Sequence, residues 1–208
     1  RHPRLVSDWS SDVCSSDLKP ISGLFLRLHN GTIWRWNRPL IGFDVDGTPH
    51  LRIEQRVISS APSMVDNIAN IAFYYGLVEY YANSDIAPES ELPFADTKDN
   101  FYRAAQVGIS HRLLWTDGKR HSIQQLVLDR LLVEAEQGLY NLGISETGIR
   151  HYLGIIEARI SSEQTGSYWQ RRFTELHGRD MQLMTSVYRN NQQSNTPVHN
   201  WDFETTTG

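Results

Sequence analysis

The sequence predicts an α+β fold in which an antiparallel β-meander precedes a helical region. Apolar and polar residues alternate between residues 24 and 58, and the steps Asn30-Gly31 and Asp46-Gly47 are typical of tight hairpin turns. From Ser63 onward, apolar residues recur at three- and four-residue spacing, which indicates helices. Because the strands precede the helices instead of alternating with them, the order favours α+β over α/β.

The meander is predicted to contain two hairpins, residues 24–36 and residues 39–57. Side chains alternate between the faces of a strand. The charged residues of the last strand therefore share one face: His50, Arg52, Glu54 and Arg56. Its apolar residues point the other way, and we expect them to face the core: Leu51, Ile53 and Val57.

Helices are predicted for residues 63–81, 101–111, 122–142 and 145–161, followed by two more that Gly166 and Gly178 punctuate. Residues 83–96 are predicted to be a loop, because they combine two prolines and many acids without a period. Asp117-Gly118 predicts another turn. The polar tail of residues 192–208 is predicted to be loose, with Trp201 and Phe203 as an anchor.

The composition excludes several classes of function. Of 208 residues, 39% are hydrophobic and 21% charged, and the net charge of −4 does not favour nucleic acid or an anionic membrane surface. No apolar run is long enough to span a bilayer, and the N-terminus does not resemble a signal peptide. Cys14 is the only cysteine, which excludes a disulfide within the chain, and we expect a cytoplasmic protein.

The first 18 residues do not resemble the start of a folded domain. The string DWSSDVCSSDL, residues 8–18, reads as the translation of a common sequencing adapter. We therefore interpret residues 1–18 as a non-native, disordered leader and expect the natural chain to extend upstream of Lys19. Residues 19–203 are predicted to be part of one domain (19–82 strands plus a helix, 97–194 helical), and residues 204–208 a tail.

The charged face of the last strand suits phosphate chemistry. Glu54 offers a hard oxygen ligand for Mg²⁺, and Arg52 and Arg56 can clamp phosphate or carboxylate oxygens. This set suits phosphoryl transfer from ATP. The alternative is that these residues have no site and only form ion pairs on a solvent-exposed face of the sheet.

A second cluster of candidate site residues precedes this strand in the sequence. Trp34 can stack on an adenine or pack in the core, and Arg35 and Arg38 can contact phosphate or solvent. The string IGFDVDGT also resembles the motif of haloacid dehalogenase-like phosphatases, with Asp44 as nucleophile and Asp46 as acid/base. Because another strand follows at once instead of a helix, we interpret the string as a turn and keep the phosphatase as an alternative.

The strings HNGTIWRWNRP and HLRIEQRV together resemble the C-terminal half of the bacterial carboxylate–amine ligases of the glutamate–cysteine ligase type 2 family. NFYRAAQVGISHRLLWTDGK, YLGIIEARISSEQTGSYWQRRF and PVHNWDF are also similar to that family. The resemblance implies a glutamine synthetase-like curved sheet with ATP and Mg²⁺ as cofactors. It also implies phosphorylation of glutamate or a similar acid, followed by attack of an amino-acid amine that gives, for the named activity, γ-glutamylcysteine.

By the same resemblance, Glu54 would ligate Mg²⁺ and Arg56 would steady the transferred phosphoryl group, with Arg52 assisting. Looser assignments to nucleotide or substrate go to Arg35, Arg38, Trp34 and His29. Arg159 and Thr165-Gly166 also match the family's sequence pattern. We interpret Arg159 as a residue of helix packing and Thr165-Gly166 as a helix cap.

The family's other metal-binding carboxylates lie upstream, so we expect this chain to be inactive alone and its half sheet to favour self-association. A non-catalytic binding or regulatory module on the same half-fold remains the alternative.

Overall fold

A computed structural model of the chain describes residues 36–58 and 60–204. The chain divides into two units between residues 59 and 60, and each is described by itself. The described residues combine antiparallel strands with the helices that follow them, which confirms the α+β class. The predicted leader and the first predicted hairpin, up to residue 35, lie outside the described residues.

The first unit contains an antiparallel hairpin of β1 (Asn37–Phe43) and β2 (Pro49–Gln55). The hairpin closes at Asp46-Gly47, as predicted, with Gly47 at a φ of +85°. The predicted orientation of the apolar face was wrong. Leu51 is 80% exposed, Ile53 72% and Val57 36%, so this face is open to solvent in the described structure instead of lying against a core.

The second unit is helical and carries one small hairpin. Its elements are α1 (Met64–Ala82), α2 (Pro88–Glu91), α3 (Phe94–Val107), β3 (Arg112–Leu114), β4 (Arg120–Ser122), α4 (Ile123–Leu126), α5 (Leu132–Asn141), α6 (Glu146–Ser162), α7 (Gly166–His177) and α8 (Met181–Gln193).

Helix α1 begins and ends within one residue of its predicted bounds. Ser63 is the N-cap: its hydroxyl accepts from the Asp66 N–H at 3.2 Å and donates to the Asp66 carboxylate at 2.7 Å. At the crossing of α1 with α5, a Cβ on Gly76 or Gly138 would overlap the facing backbone, so only glycine permits this close approach.

The predicted loop of residues 83–96 is partly wrong. It contains α2 and the first turn of α3, because Pro88 occupies the first turn of α2 and Pro93 the N-cap of α3, positions where a missing N–H costs little. Helix α3 accordingly ends at Val107, earlier than predicted, and a short 3₁₀ turn follows it. The predicted turn at Asp117-Gly118 is confirmed between β3 and β4.

The predicted long helix of residues 122–142 is confirmed with one irregularity. Ser122 caps it by accepting from the Gln125 N–H at 3.0 Å, and a π-helical segment, Val127–Leu131, interrupts it between α4 and α5. The predicted cap at Ser145 is also confirmed, since its hydroxyl accepts from the Gly148 N–H at 3.3 Å.

Apolar side chains of α1, α4, the π segment, α5 and α6 form the main core. Its most buried members include Ala69, Leu126, Leu131, Ala135, Ile149 and Ile156. None of the helices in the described part of the chain is long and apolar enough to cross a bilayer.

A separate aromatic core holds the segment of residues 196–203. Trp169 stacks on Phe173 and meets Trp201 edge-to-face, and Trp201 is only 3% exposed. The prediction that Trp201 and Phe203 anchor the tail is therefore confirmed. The prediction of a loose tail was wrong for residues 196–203. Gln164 donates to the carbonyls of Val198 and Trp201, which ties this segment to the unit.

Candidate functional site

The turn that closes the hairpin sets the register of its two strands. The Thr48 N–H donates to Asp46 Oδ1 at 2.9 Å, and the Gly47 N–H donates to the Asp44 carbonyl at 2.9 Å. The bond from Thr48 lowers the pKa of Asp46, which is exposed. Asp46 therefore builds the turn, and an antiparallel strand, not a helix, follows Asp44 and Asp46.

The register brings the polar residues of the two strands together on one face. Arg38 lies opposite Glu54, Leu40 opposite Arg52, and Gly42 opposite His50. The ladder continues one step further, because the Arg56 N–H donates to the Trp36 carbonyl at 2.8 Å. Arg38, His50, Arg52, Glu54 and Arg56 thus form the polar face of the hairpin.

Glu54 lies between two guanidinium groups on this face. Arg56 Nε is 2.9 Å from Glu54 Oε1, and Arg38 Nη1 is 3.7 Å from Glu54 Oε2. The side chains of Arg38 and Arg56 are 18% and 20% exposed, and that of Glu54 is 39% exposed. The pairing with Arg56 is a close ion pair, whereas the contact with Arg38 is long enough for a ligand oxygen to replace it.

Arg38 has unused hydrogen-bonding capacity. Its Nε is buried and has no hydrogen-bond partner among the described residues. A buried guanidinium N–H without an acceptor is costly, and an anion bound on the polar face would remove that cost.

The other end of the polar face carries a second pair. His50 Nδ1 is 3.2 Å from Asp44 Oδ1, and a Cβ on Gly42 would overlap the His50 ring and lie 2.9 Å from Arg52 Nη2. The side chains of His50 and Arg52 therefore lie over Gly42. The three arginines of the polar face outnumber the carboxylates beside them, Glu54 and Asp44, so the face suits an anion.

The hairpin supplies only part of a metal-binding site. Glu54 has the carboxylate oxygens that Mg²⁺ prefers, but both oxygens face arginines. In residues 36–58 and 60–204, no three acidic, histidine or cysteine side chains are grouped so that they could hold a metal ion. Glu54 fits as one ligand of a metal bound together with phosphate oxygens, and not as the centre of a complete protein site.

The structure brings Arg38, Arg52, Glu54 and Arg56 to one face, whereas His29, Trp34 and Arg35 lie outside the described residues. Arg159 and Thr165 have the structural roles assigned to them from the sequence. Arg159 Nη2 donates to the buried Asp66 carboxylate at 2.6 Å, and the Thr165 hydroxyl accepts from the Tyr168 N–H at 3.2 Å.

Sequence reasoning missed two side-chain contacts that the turn could have revealed: Arg38 with Glu54, and His50 with Asp44. Arg38 and Glu54 are equally far in sequence from Asp46, and so are Gly42 and His50, which is the register of a hairpin centred there. In this register, Asp44 is the diagonal neighbour of His50 on the same face, which allows their contact.

Comparison with known proteins adds no relative to this description. No protein-family model matches the chain, and no curated protein or solved structure matches it. The features that bear on function are therefore the polar face of the hairpin and the sequence resemblance.

Proposed function

We propose that the polar face of the hairpin binds the phosphates of ATP in a Mg²⁺-dependent carboxylate–amine ligase of the glutamate–cysteine ligase type. The observation that carries the proposal is the position of Glu54 between Arg38 and Arg56 on a strand face with net positive charge. Fixed guanidinium groups suit phosphoryl transfer, in which positioning and neutralisation of charge supply most of the catalysis.

The reaction has two balanced steps. An oxygen of the substrate carboxylate attacks the terminal phosphorus of ATP, the bond to the bridging oxygen breaks, and ADP leaves. The amine nitrogen of the second substrate then attacks the acyl carbon, phosphate leaves with the electrons of the broken C–O bond, and the amine loses its proton. Glutamate or a similar acid would be the first substrate and an amino-acid amine the second.

The residues of the polar face have distinct proposed roles. Arg56 and Arg38 hold oxygens of the transferred phosphoryl group, and Arg52, over Gly42, contacts the neighbouring phosphate or the substrate carboxylate. Phosphate oxygens that pair with the arginines release the Glu54 carboxylate to act as a metal ligand. Bound Mg²⁺ supplies neutralisation of phosphate charge.

Binding of MgATP to the chain tests the proposal. Because a hydrogen bond to a charged group contributes about 1.5–3 kcal/mol, Arg56→Ala should weaken binding by about tenfold or more in a calorimetric titration. Arg103→Ala is the matched control, since Arg103 pairs with Asp99 on α3 and lies outside the hairpin. Equal affinity of Arg56→Ala and wild type, or no binding by wild type, would contradict the proposal.

The metal dependence separates the ligase from a non-catalytic anion-binding module. In the ligase, Glu54→Gln should reduce the gain in ATP affinity that Mg²⁺ produces. In a binding module without a metal ligand, Mg²⁺ should not raise the affinity for ATP, because it only lowers the charge of the anion. We expect ADP release with glutamate, cysteine and MgATP to stay near background, because one carboxylate does not complete the metal site. Phosphatase activity that Asp44→Asn abolishes would instead favour the phosphatase alternative.

A further inference from the structure

Helix α1 is apolar on two faces, and in the part of the chain that the structure describes only one of them is covered. Its inner face, with Ala69 and Gly76, packs against α5 and α6. Its outer face carries large apolar side chains that are 36–64% exposed, here called the outer stripe: Met64, Ile68, Ile71, Tyr75 and Val78. A helix that is hydrophobic all round is normally buried on all sides.

The spacing of the outer stripe is that of a helix–helix seam. Successive members lie four, three, four and three residues apart, which is the alternation of a and d positions in a heptad repeat. The stripe continues to Ala82 at the end of the helix, so it runs along the whole length of α1, about 28 Å for 19 residues. A contiguous stripe of this length is typical of an interaction surface, unlike single exposed apolar residues.

The charges of α1 select the orientation of a partner helix. Asp66 and Glu79 are its only charged residues, and Asp66 is completely buried. In a parallel pair of α1 helices, Glu79 would occupy an e position beside Tyr74 of the second copy, which offers the carboxylate no positive charge. In an antiparallel pair, Glu79 would lie beside the first turn of the other helix, where the positive end of the helix dipole favours a carboxylate.

We propose that the outer stripe is a dimer interface in which α1 packs antiparallel against α1 of a second copy. Complete overlap of the two helices centres the pair on Phe73 and gives layers that alternate a with d positions, as antiparallel seams require. Ile68 then faces Val78 of the second copy, and Ile71 faces Tyr75. A two-fold interface must be complementary to itself, and the stripe satisfies this condition.

This interface is independent of the proposed ligase function, because it uses no residue of the hairpin. One pair of helices is smaller than a standard stable interface, so the dimer is expected to be weak and to depend on concentration. A heterologous helix of another protein is the competing occupant, and it predicts that the chain alone stays monomeric.

Sedimentation of the full chain over a wide concentration range is the first test. Wild type should show a monomer–dimer equilibrium, and Ile71→Glu should weaken it by about tenfold or more, because the seam would bury a charge. Val133→Glu is the matched control: Val133 is 62% exposed on α5 and lies outside the stripe. Circular dichroism checks folding, and Met64→Glu, at a 64% exposed position, replaces Ile71→Glu if that variant unfolds.

A monomeric wild type, or a dimer that Ile71→Glu and Met64→Glu leave unchanged, would overturn the proposal. Cysteine pairs test the orientation in a Cys14→Ser background. Oxidation of a mixture of Ile68→Cys and Val78→Cys should give the mixed disulfide, whereas neither variant should cross-link with itself, since like positions are about 15 Å apart along the axis. Self-linking of Ile68→Cys would show a parallel pair instead and would overturn the antiparallel interface.

Discussion

The hairpin and the helical unit place their polar and apolar side chains in opposite ways. In the helical unit, Trp169 and Ile149 are at most 2% exposed, and the buried Asp66 has three hydrogen-bond donors around its carboxylate. In the hairpin, Leu51 and Ile53 are exposed, while the side chains of Arg38 and Arg56 on the opposite face are only 18% and 20% exposed.

The difference separates stability from chemistry along the chain. The helical unit obtains its stability from its own core, so substitutions there should change the free energy of unfolding. The hairpin contributes the polar face, so substitutions on that face should change anion binding, and substitutions on either face should leave the free energy of unfolding almost unchanged. Substitutions in the two units should therefore have different effects.

The largest effect is expected at Asp66, the centre of the helical unit's polar network. Its carboxylate accepts from the Ser63 hydroxyl, the Val198 N–H and Arg159, at 2.7, 3.0 and 2.6 Å. Asp66→Ala leaves the Arg159 guanidinium buried without its charge partner, so we expect a loss of about 3–5 kcal/mol in the free energy of unfolding, measured by urea denaturation.

A double-mutant cycle identifies the cause of that loss. In an Arg159→Met background, Asp66→Ala should cost at least about 1 kcal/mol less than it does in wild type, since no charge remains unpaired. Additive costs would show that the ion pair does not hold α1, α6 and the end of the chain together.

A smaller effect is expected at the crossing of α1 and α5. Gly138→Ala places a methyl group against the backbone of Gly76, and we expect this overpacking to cost about 1–3 kcal/mol. Gly154→Ala is the control, because the added Cβ meets no atom within 4 Å and replaces glycine inside a helix. Gly154→Ala should raise the free energy of unfolding by about 0.5–1 kcal/mol. If Gly138→Ala and Gly154→Ala changed the free energy of unfolding in the same direction, the close approach of α1 and α5 would be contradicted.

The pH dependence of stability gives a third test, at His199. Burial lowers the pKa of His199 below its ordinary value of 6.5, with Arg159 acting in the same direction and Asp66 opposing both. The unfolded chain therefore binds more protons as the pH falls. The contribution of His199 is fully present above about pH 6.5 and is lost below it.

His199→Gln should accordingly make the free energy of unfolding less sensitive to acid between about pH 7.5 and about pH 5.5. His151→Gln changes an exposed histidine on α6 and serves as the control. The prediction fails if the two variants lose stability in acid to the same extent as wild type.

The sequence predicted features that depend on local chemistry. The bounds of α1 follow from the Ser63 cap and the apolar period, and the pairing of Glu54 with Arg56 follows from the alternation of side chains along a strand. The turn at Asp46-Gly47 also sets the register that brings Arg38 to Glu54, although the pairing itself was not drawn from it.

Features that depend on distant residues were not predictable in the same way. Alternation shows that Leu51 and Ile53 share a face, but only the remaining structure decides whether that face is covered. The π segment, Val127–Leu131, extends over too few residues for its period to differ visibly from that of an α-helix. The packing of residues 196–203 depends on Trp169, more than 30 residues before Trp201.

The smallest effect is expected on the apolar face of the hairpin. Ile53→Thr keeps the β-branched shape that strands favour, and Ile53 is 72% exposed, so the free energy of unfolding should change by less than about 0.5 kcal/mol. MgATP affinity should also be unchanged, because Glu54 and Arg56 lie on the other face. A loss above about 1 kcal/mol would show that this face is covered in solution. The hairpin would then share the core-based stability of the helical unit, and the comparison would fail at that point.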